Sequence, residues 1–312
     1  MTNPLLNLKR PIGFGFMKAS FSASEQNRQS TIEALHLALD MGVRLFDTAD
    51  IYAPTWDAFG HNELLVAEAM RTHPLGAQAI IATKGGITRK PGEVWGRNAS
   101  LDYLLRAAEA SAGRLGVSKI ALWQHHRLDP NMPFEQQLEN LAGLRQRGII
   151  EHIGVSNYSA KQLRRALDVV GPIASVQNQF SPVYRNEADV LEVCERYGIV
   201  YLPWSPSKGL HAGSPRTVIH DVADELEFSP YAVGLAWLRS LSSAIVPIPG
   251  VTRTESVVDS IAGSKLVLKP SVLNRIAREL PQSLPMDGEL LSDQPKKLAF
   301  FESKSTKSAC RR

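Results

Sequence analysis

Eight short apolar runs, each followed by a stretch of helical periodicity, limit this chain to very few folds. The runs lie at residues 12–16, 43–46, 79–83, 119–123, 150–155, 174–177, 199–202 and 244–248. They read as near-continuous apolar stretches, the pattern of strands buried on both faces of a parallel sheet. The segments between them are helical in period. Leu101, Leu104, Leu105, Ala108, Ala112 and Leu115 line one face behind the N-cap candidate Ser100. Phe134, Leu138, Leu141 and Leu144 form a second face, and Leu163, Ala166, Leu167 and Val170 a third. Ser229 and Pro230 mark another helix start, with proline at the first position, where its missing donor costs nothing. Val233, Ala236, Trp237 and Leu241 are expected to face inward from it.

Each crossover is long enough for a parallel connection. Eight such units have a closed solution, a (β/α)8 TIM barrel of the α/β class with its active site on the C-terminal face. A doubly wound sheet is the structural rival. Pro247 falls inside the last run and removes a ladder donor there, a fault in the eighth strand. The 312 residues fit one barrel domain at 1–295, with a terminal helix at 271–280 and an irregular end over the rim. The loops after the second, third and seventh runs, at 48–60, 85–99 and 205–219, are long. In a barrel they lie on the face where sites are built.

Charge and cysteine usage exclude several classes. The net charge of +4 comes from a basic tail at 296–312, which holds six of the 35 basic residues and one of the 31 acidic ones. The body is left near neutral, without a nucleic-acid footprint, and the tail is expected to be flexible. Two cysteines, Cys194 and Cys310, cannot make a disulfide framework, and Cys194 falls on an apolar helical stripe as a core residue. Residues 1–10 carry no apolar signal region and no run approaches a membrane span, so a soluble cytoplasmic protein is expected.

Titratable residues stand where the runs stop. Asp47 ends the second with Tyr52 five residues later, Lys84 follows the third, and Gln124, His125 and His126 end the fourth. Asp, Tyr, Lys and His converging on one rim can make a proton-donating site. A Lys cation beside the phenol is expected to lower the Tyr52 pKa towards neutrality, while Asp47 holds the Lys charged. Strand alternation places one of His125 and His126 in the interior and the other in the helix layer. If Leu122 faces inward, Gln124 and His126 follow it, although both faces of such a strand are buried and the phase stays open.

The order and spacing of these residues resemble a known family. Phe46-Asp47-Thr48-Ala49-Asp50-Ile51-Tyr52, with Glu63 downstream, is similar to the tyrosine signature of the aldo-keto reductases. Ala82-Thr83-Lys84 resembles their lysine strand, Leu122 to Asp129 their fourth-strand motif, and Ile153 to Asn157 their fifth. Val176 to Pro182, Trp204-Ser205-Pro206 and Ile248-Pro249-Gly250 fit the sixth, seventh and eighth, so the likeness runs in order from about residue 12 to 262. It implies an NAD(P)(H)-dependent oxidoreductase that reduces an aldehyde or ketone to an alcohol. By motif match the catalytic set is Tyr52 as general acid, Asp47 and Lys84 as its tuning pair, and His126 at the carbonyl oxygen.

The resemblance also implies a cofactor track. Ser156, Asn157 and Gln177 would hold the nicotinamide carboxamide, Trp204 would stack on its ring, and Phe16 and Met17 would touch that half. Ser205, Lys208, Gly209 and Leu210 would pass over the pyrophosphate. Gly250, Thr252, Arg253 and Asp259 would serve the adenosine end, with Arg253 facing the 2′-phosphate, which its guanidinium geometry suits. NADPH is the expected cofactor and NADH the alternative, because Ser256 and Ser260 replace an Arg and an Asn common in NADPH-selective members. Gly13 and Gly15 do not make a Rossmann loop, since Lys18 occupies the third glycine position. Ala53 replaces a common glycine after Tyr52, which suggests a reshaped substrate loop with Trp56 and Trp95 as pocket walls. A small carbonyl compound such as pyridoxal or a sugar aldehyde or ketone is the expected substrate, on a monomer or weak homo-oligomer. The rival reading is a nucleotide-sensing subunit of a channel or other complex. A metal enzyme is disfavoured because adjacent His125 and His126 point to opposite faces.

Overall fold

The computed structural model describes residues 3–20, 24–281 and 283. Strands and helices alternate: β1 (Gly13–Gly15), α1 (Glu25–Asp40), β2 (Leu45–Asp47), α2 (His61–Arg71) and β3 (Ile80–Gly85). A hairpin of β4 (Ile87–Lys90) and β5 (Val94–Arg97) follows, then α3 (Leu101–Leu115), β6 (Ile120–His125), α4 (Phe134–Gln146) and β7 (Ile150–Ser156). The chain continues through α5 (Ala160–Val170), β8 (Ser175–Gln177), α6 (Ala188–Tyr197) and β9 (Val200–Tyr201). The described residues finish with four helices, α7 (Val218–Leu226), α8 (Pro230–Leu241), α9 (Thr254–Lys265) and α10 (Pro270–Glu279). The large sheet is parallel throughout, in the order β1-β2-β3-β6-β7-β8-β9.

The helices start where the sequence says. Ser100 caps α3 by accepting from Tyr103 N, and Ser229 caps α8 by accepting from Ala232 N. Ser159 and Gln162 form a reciprocal capping box on α5. Leu241 departs from the expected inward stripe: it is 43% exposed at the last position of α8, where no further helical turn covers it.

The eighth strand also differs from expectation. Residues 244–248 form no ladder strand, because Pro247 and Pro249 have no N–H to donate. The segment nevertheless closes the sheet. Tyr201 N donates to Ala244 O at 2.8 Å and Val246 N to Tyr201 O at 2.9 Å. On the other side Gly13 N donates to Pro247 O at 2.9 Å and Gly15 N to Pro249 O at 3.0 Å. Prolines that cannot donate still accept, so the seam between β9 and β1 is sewn mainly through carbonyls.

Strand alternation sorts side chains into two compartments. Leu45, Ala82, Leu122, Val200, Leu202, Val246 and Ile248 fill the lower interior, and Leu5 of a short N-terminal 3-10 turn (Pro4–Asn7) packs with them. Trp123, Ile153, Val155 and Val176 point outward into the helix layer, which also holds the buried Cys194. Burial pushes the Cys194 thiol up to about 12, so it is an inert core group. Above the apolar layer the inward positions turn polar: Asp47, Lys84, Gln124, Ser156 and Gln177. No helix among the described residues is long and apolar enough to cross a membrane. The tail at 296–312 lies outside the described residues.

Packing of α9 on α8 depends on one missing side chain. A Cβ at Gly263 would sit 2.6 Å from both Cα and O of Ala232. Neither backbone atom can yield without separating the helices. Gly263→Ala is therefore expected to cost about 1–3 kcal/mol as an overpacked contact. Thermal unfolding checks this; an unchanged melting temperature would show that α9 slides freely.

Candidate active site at the barrel mouth

The polar layer is organised by one carboxylate. Asp47 Oδ2 accepts from Lys84 Nζ at 2.6 Å, and its Oδ1 accepts from Gln177 Nε2 at 2.8 Å and Gln124 Nε2 at 3.2 Å. Lys84 Nζ also donates to Thr48 O at 2.7 Å. The Lys84 side chain is wholly buried, yet its pKa is raised: burial acts to lower it, and Asp47 with Tyr52 outweighs that penalty.

Tyr52 stands over this pair on the β2 loop. Its ring centroid lies 5.0 Å from Lys84 Nζ, and the His126 ring meets it edge-on at 5.8 Å between centroids. The expected lowering of its pKa does not occur. Burial of the phenol is the larger influence, and it raises the pKa against the pull of Lys84, with Asp47 adding to the rise. His126 goes the other way: desolvation, then the Lys84 and Arg127 charges, hold it well below the usual histidine range. At neutral pH the mouth therefore presents a protonated phenol beside an uncharged imidazole.

Alternation along β6 resolves the two histidines. Leu122 lies in the interior cluster and Gln124 reaches Asp47, so His126 continues the inward face. His125 turns outward, fully buried, with Nδ1 2.9 Å from the Tyr158 hydroxyl. Gln124 was not expected as a partner of Asp47. The signal was a polar residue at an inward position between Leu122 and His126.

The residues expected to hold a nicotinamide meet on the next three strand ends. Ser156 Oγ donates to Gln177 O at 2.8 Å, Asn157 Nδ2 donates to Ser156 Oγ at 2.6 Å, and Trp204 Nε1 donates to Asn157 Oδ1 at 3.2 Å. Asn157 and Ser205 have positive φ, 61° and 51°, so the backbone is held in an unfavourable region at both. Met17 is 43% exposed at the β1 exit, whereas Phe16 is fully buried against Phe46 and the helices, so its side chain does not reach the mouth. Lys208 lies 4.7 Å over the Tyr184 ring. Leu210 is buried as an anchor for its loop, and Gly209 adopts φ 87° against Val183.

At the far end of this track Arg253 is exposed just before α9. Thr252 is fixed through its carbonyl by Ser30 Oγ at 2.7 Å, and Gly250 pairs with Gly15 across the seam. Asp259 does not stand free, because Ser229 Oγ donates to its Oδ2 at 2.7 Å at the start of α8. Trp56 lies on the loop that carries Tyr52, and Trp95 lies on β5. Arg89 stacks over Trp95 at 4.8 Å and donates to Ala53 O and Pro54 O, and Trp56 N donates to Glu93 Oε1. The β4–β5 hairpin, unforeseen in the long third loop, is thereby clamped to the segment that carries Tyr52.

A parallel barrel with Asp, Lys, Tyr and His gathered at its C-terminal mouth agrees with the comparisons. The profile described as "Aldo/keto reductase family" matches residues 11–279. The chain belongs to the aldo/keto reductase family. An uncharacterized oxidoreductase of Schizosaccharomyces pombe is 30% identical over 271 residues, 86% of each chain. The aldo-keto reductase yakc [NADP(+)] of the same organism is 27% identical over 301 residues, covering 85% of this chain and 86% of that one. An aldo/keto reductase from Klebsiella pneumoniae solved with NADP and acetate has a TM-score of 0.71 at 25% identity, covering 86% and 90% of the two chains.

In this aldo/keto reductase the outward histidine carries a pH liability. Burial pushes His125 down to about 4, although Asp129 draws it slightly upward. The unfolded chain takes up a proton near 6.5, which the folded chain resists until about 4. Stability is therefore complete above pH 6.5, falls as the pH drops to about 4, and loses nothing more from this group below that. The loss is on the order of 3 kcal/mol. His125→Gln is expected to flatten that part of the curve. Denaturant unfolding at stepped pH checks it, and identical slopes in both proteins would refute the assignment.

Proposed function

We propose that this family member reduces an aldehyde or ketone to the corresponding alcohol with NADPH, and that Tyr52 is the general acid. The observation that carries the reading is the phenol held protonated by burial, between a charged Lys84 and a neutral His126. Two groups whose environments drive their protons apart make an acid and a neutral hydrogen-bonding partner.

The residues present fit a dinucleotide. The Ser156, Asn157, Gln177 and Trp204 cluster offers hydroxyl and amide groups beside an indole, chemistry that suits a carboxamide on a flat ring. The Arg253 side chain makes no hydrogen bond or ion pair with a described residue and precedes the N-terminus of α9, where backbone N–H groups favour an anion. The names of two relatives, yakc [NADP(+)] and the Klebsiella pneumoniae protein in complex with NADP, point the same way. Bound NADPH would supply the hydride. Tyr52 and His126 would both hydrogen-bond the carbonyl oxygen, and Tyr52 would give it a proton. The Lys84 ammonium would stabilise the phenolate left behind, and Asp47 keeps that ammonium charged. Trp56 and Trp95 would wall the pocket for a small carbonyl compound.

Tyr52→Phe is expected to leave NADPH affinity nearly unchanged and to lower kcat at least ~10²-fold, the scale of a lost general acid. Near-normal turnover by this variant, followed as NADPH consumption over a carbonyl panel, would remove Tyr52 from the role. Arg253→Ala should weaken NADPH by roughly 10–100-fold, since charge-assisted bonds are the strong ones, while NADH binding changes little. Equal losses in fluorescence titrations with the two nucleotides would place Arg253 elsewhere. Arg216 is then a poor substitute, because Asp221 and Asp224 already hold it.

A further inference from the structure

A guanidinium at the mouth has no partner. Arg127 follows His126 directly, so it leaves β6 on the C-terminal face, and its charge acts on the Tyr52 phenol. It is half-buried, yet its side chain makes no hydrogen bond or ion pair with any described residue. Burial, and then the neighbouring Arg97, push it down to about 10, a large concession for an arginine.

Acids nearby do not answer it. Asp129, two residues on, is committed to backbone: Oδ1 accepts from Asn131 N at 2.9 Å and Oδ2 from Ala99 N at 3.3 Å. Glu93, on the hairpin turn, pairs with Arg89 and accepts from Trp56 N. Asp47 is saturated by Lys84, Gln124 and Gln177. Arg97 adds further positive charge on this side, fixed by its Nη1 donating to Leu128 O at 3.1 Å. A half-buried charge without a counter-charge is partly desolvated for no return, and a ligand that supplies the missing partner recovers that cost.

We infer that Arg127 is a specificity-determining residue that binds an anionic oxygen group, a carboxylate or a phosphate, carried by the carbonyl substrate. This rests on the carbonyl-reductase reading above and narrows it. The planar fork of the guanidinium matches both anions bidentately, and Arg97 adds to the positive charge that attracts them from solution. The carbonyl end would lie towards Tyr52 and His126, and the anionic end towards Arg127.

The test compares matched substrates on the full chain with NADPH. para-Carboxybenzaldehyde is set against its methyl ester, and glyceraldehyde phosphate against glyceraldehyde. Wild-type protein is expected to favour the anion of at least one pair by about tenfold or more in kcat/KM, mainly through KM. Which pair responds tells carboxylate from phosphate. Arg127→Gln should bring that ratio close to one, Arg127→Lys should restore part of it, and added salt should erode it in the wild type. A ratio unaltered in Arg127→Gln, or a wild type that prefers the neutral member of both pairs, overturns the inference while leaving carbonyl reduction intact. NADPH titration closes the other route: an Arg127→Gln protein that loses cofactor affinity as much as turnover would show that Arg127 serves the nucleotide phosphates. Failure of the wild type to oxidise NADPH with any of the four compounds overturns the reductase reading itself, and this inference with it.

Discussion

A carboxylate and an ammonium placed face to face inside a barrel cannot be half built. Removing one partner of such a pair leaves an uncompensated charge and typically costs about 3–5 kcal/mol. Here Asp47 draws three N–H donors from three other strands, Lys84 on β3, Gln124 on β6 and Gln177 on β8. One side chain thus fixes the relative register of half the sheet at its upper end. The ammonium that Lys84 holds against Asp47 also lies 5.0 Å from the Tyr52 ring centroid. Positioning and stability are the same interaction.

The low polarity that makes the pair costly also separates the protons around it. Burial raises the phenol and lowers both histidines, so the charged states at the mouth are confined to Asp47, Lys84 and the arginines of the rim. An uncharged imidazole cannot compete with the phenol for the role of acid. The attraction between Lys84 and a tyrosinate is legible in the sequence, but desolvation of the phenol outweighs it and moves Tyr52 the other way. Desolvation is a property of the finished packing, and no spacing of residues reports it.

Much of the architecture was legible because periodicity is a local property. The runs ending in Asp47, Lys84 and His126 are strands whose ends face the mouth, and Ser100 and Ser229 cap the helices assigned to them. The phase of β6 followed once Leu122 was seen in the interior. The rest depended on contacts between distant segments. Phe16 is buried against Phe46 and the helices, and Asp259 accepts from Ser229, contacts that no motif position reports. Arg127 carried no signal in the sequence, since a lone arginine at a strand end is usually paired and only the surrounding hydrogen bonds show that its neighbours are occupied.

The proline seam has a consequence for how the molecule is made. Residues 13–15 meet residues 247–251 across almost the whole domain, so these contacts have the greatest sequence separation in the sheet, and such pairings form slowly. The other strands join neighbours that follow them in the chain, and the sheet can grow in step with synthesis from β1 to β9. Until residues 244–250 are delivered, β1 and β9 are open edges of an apolar sheet. Such edges are templates for a second copy. A nascent or truncated chain lacking the seam is thus exposed to edge-to-edge association, and two prolines that accept without donating remove that exposure at the last step.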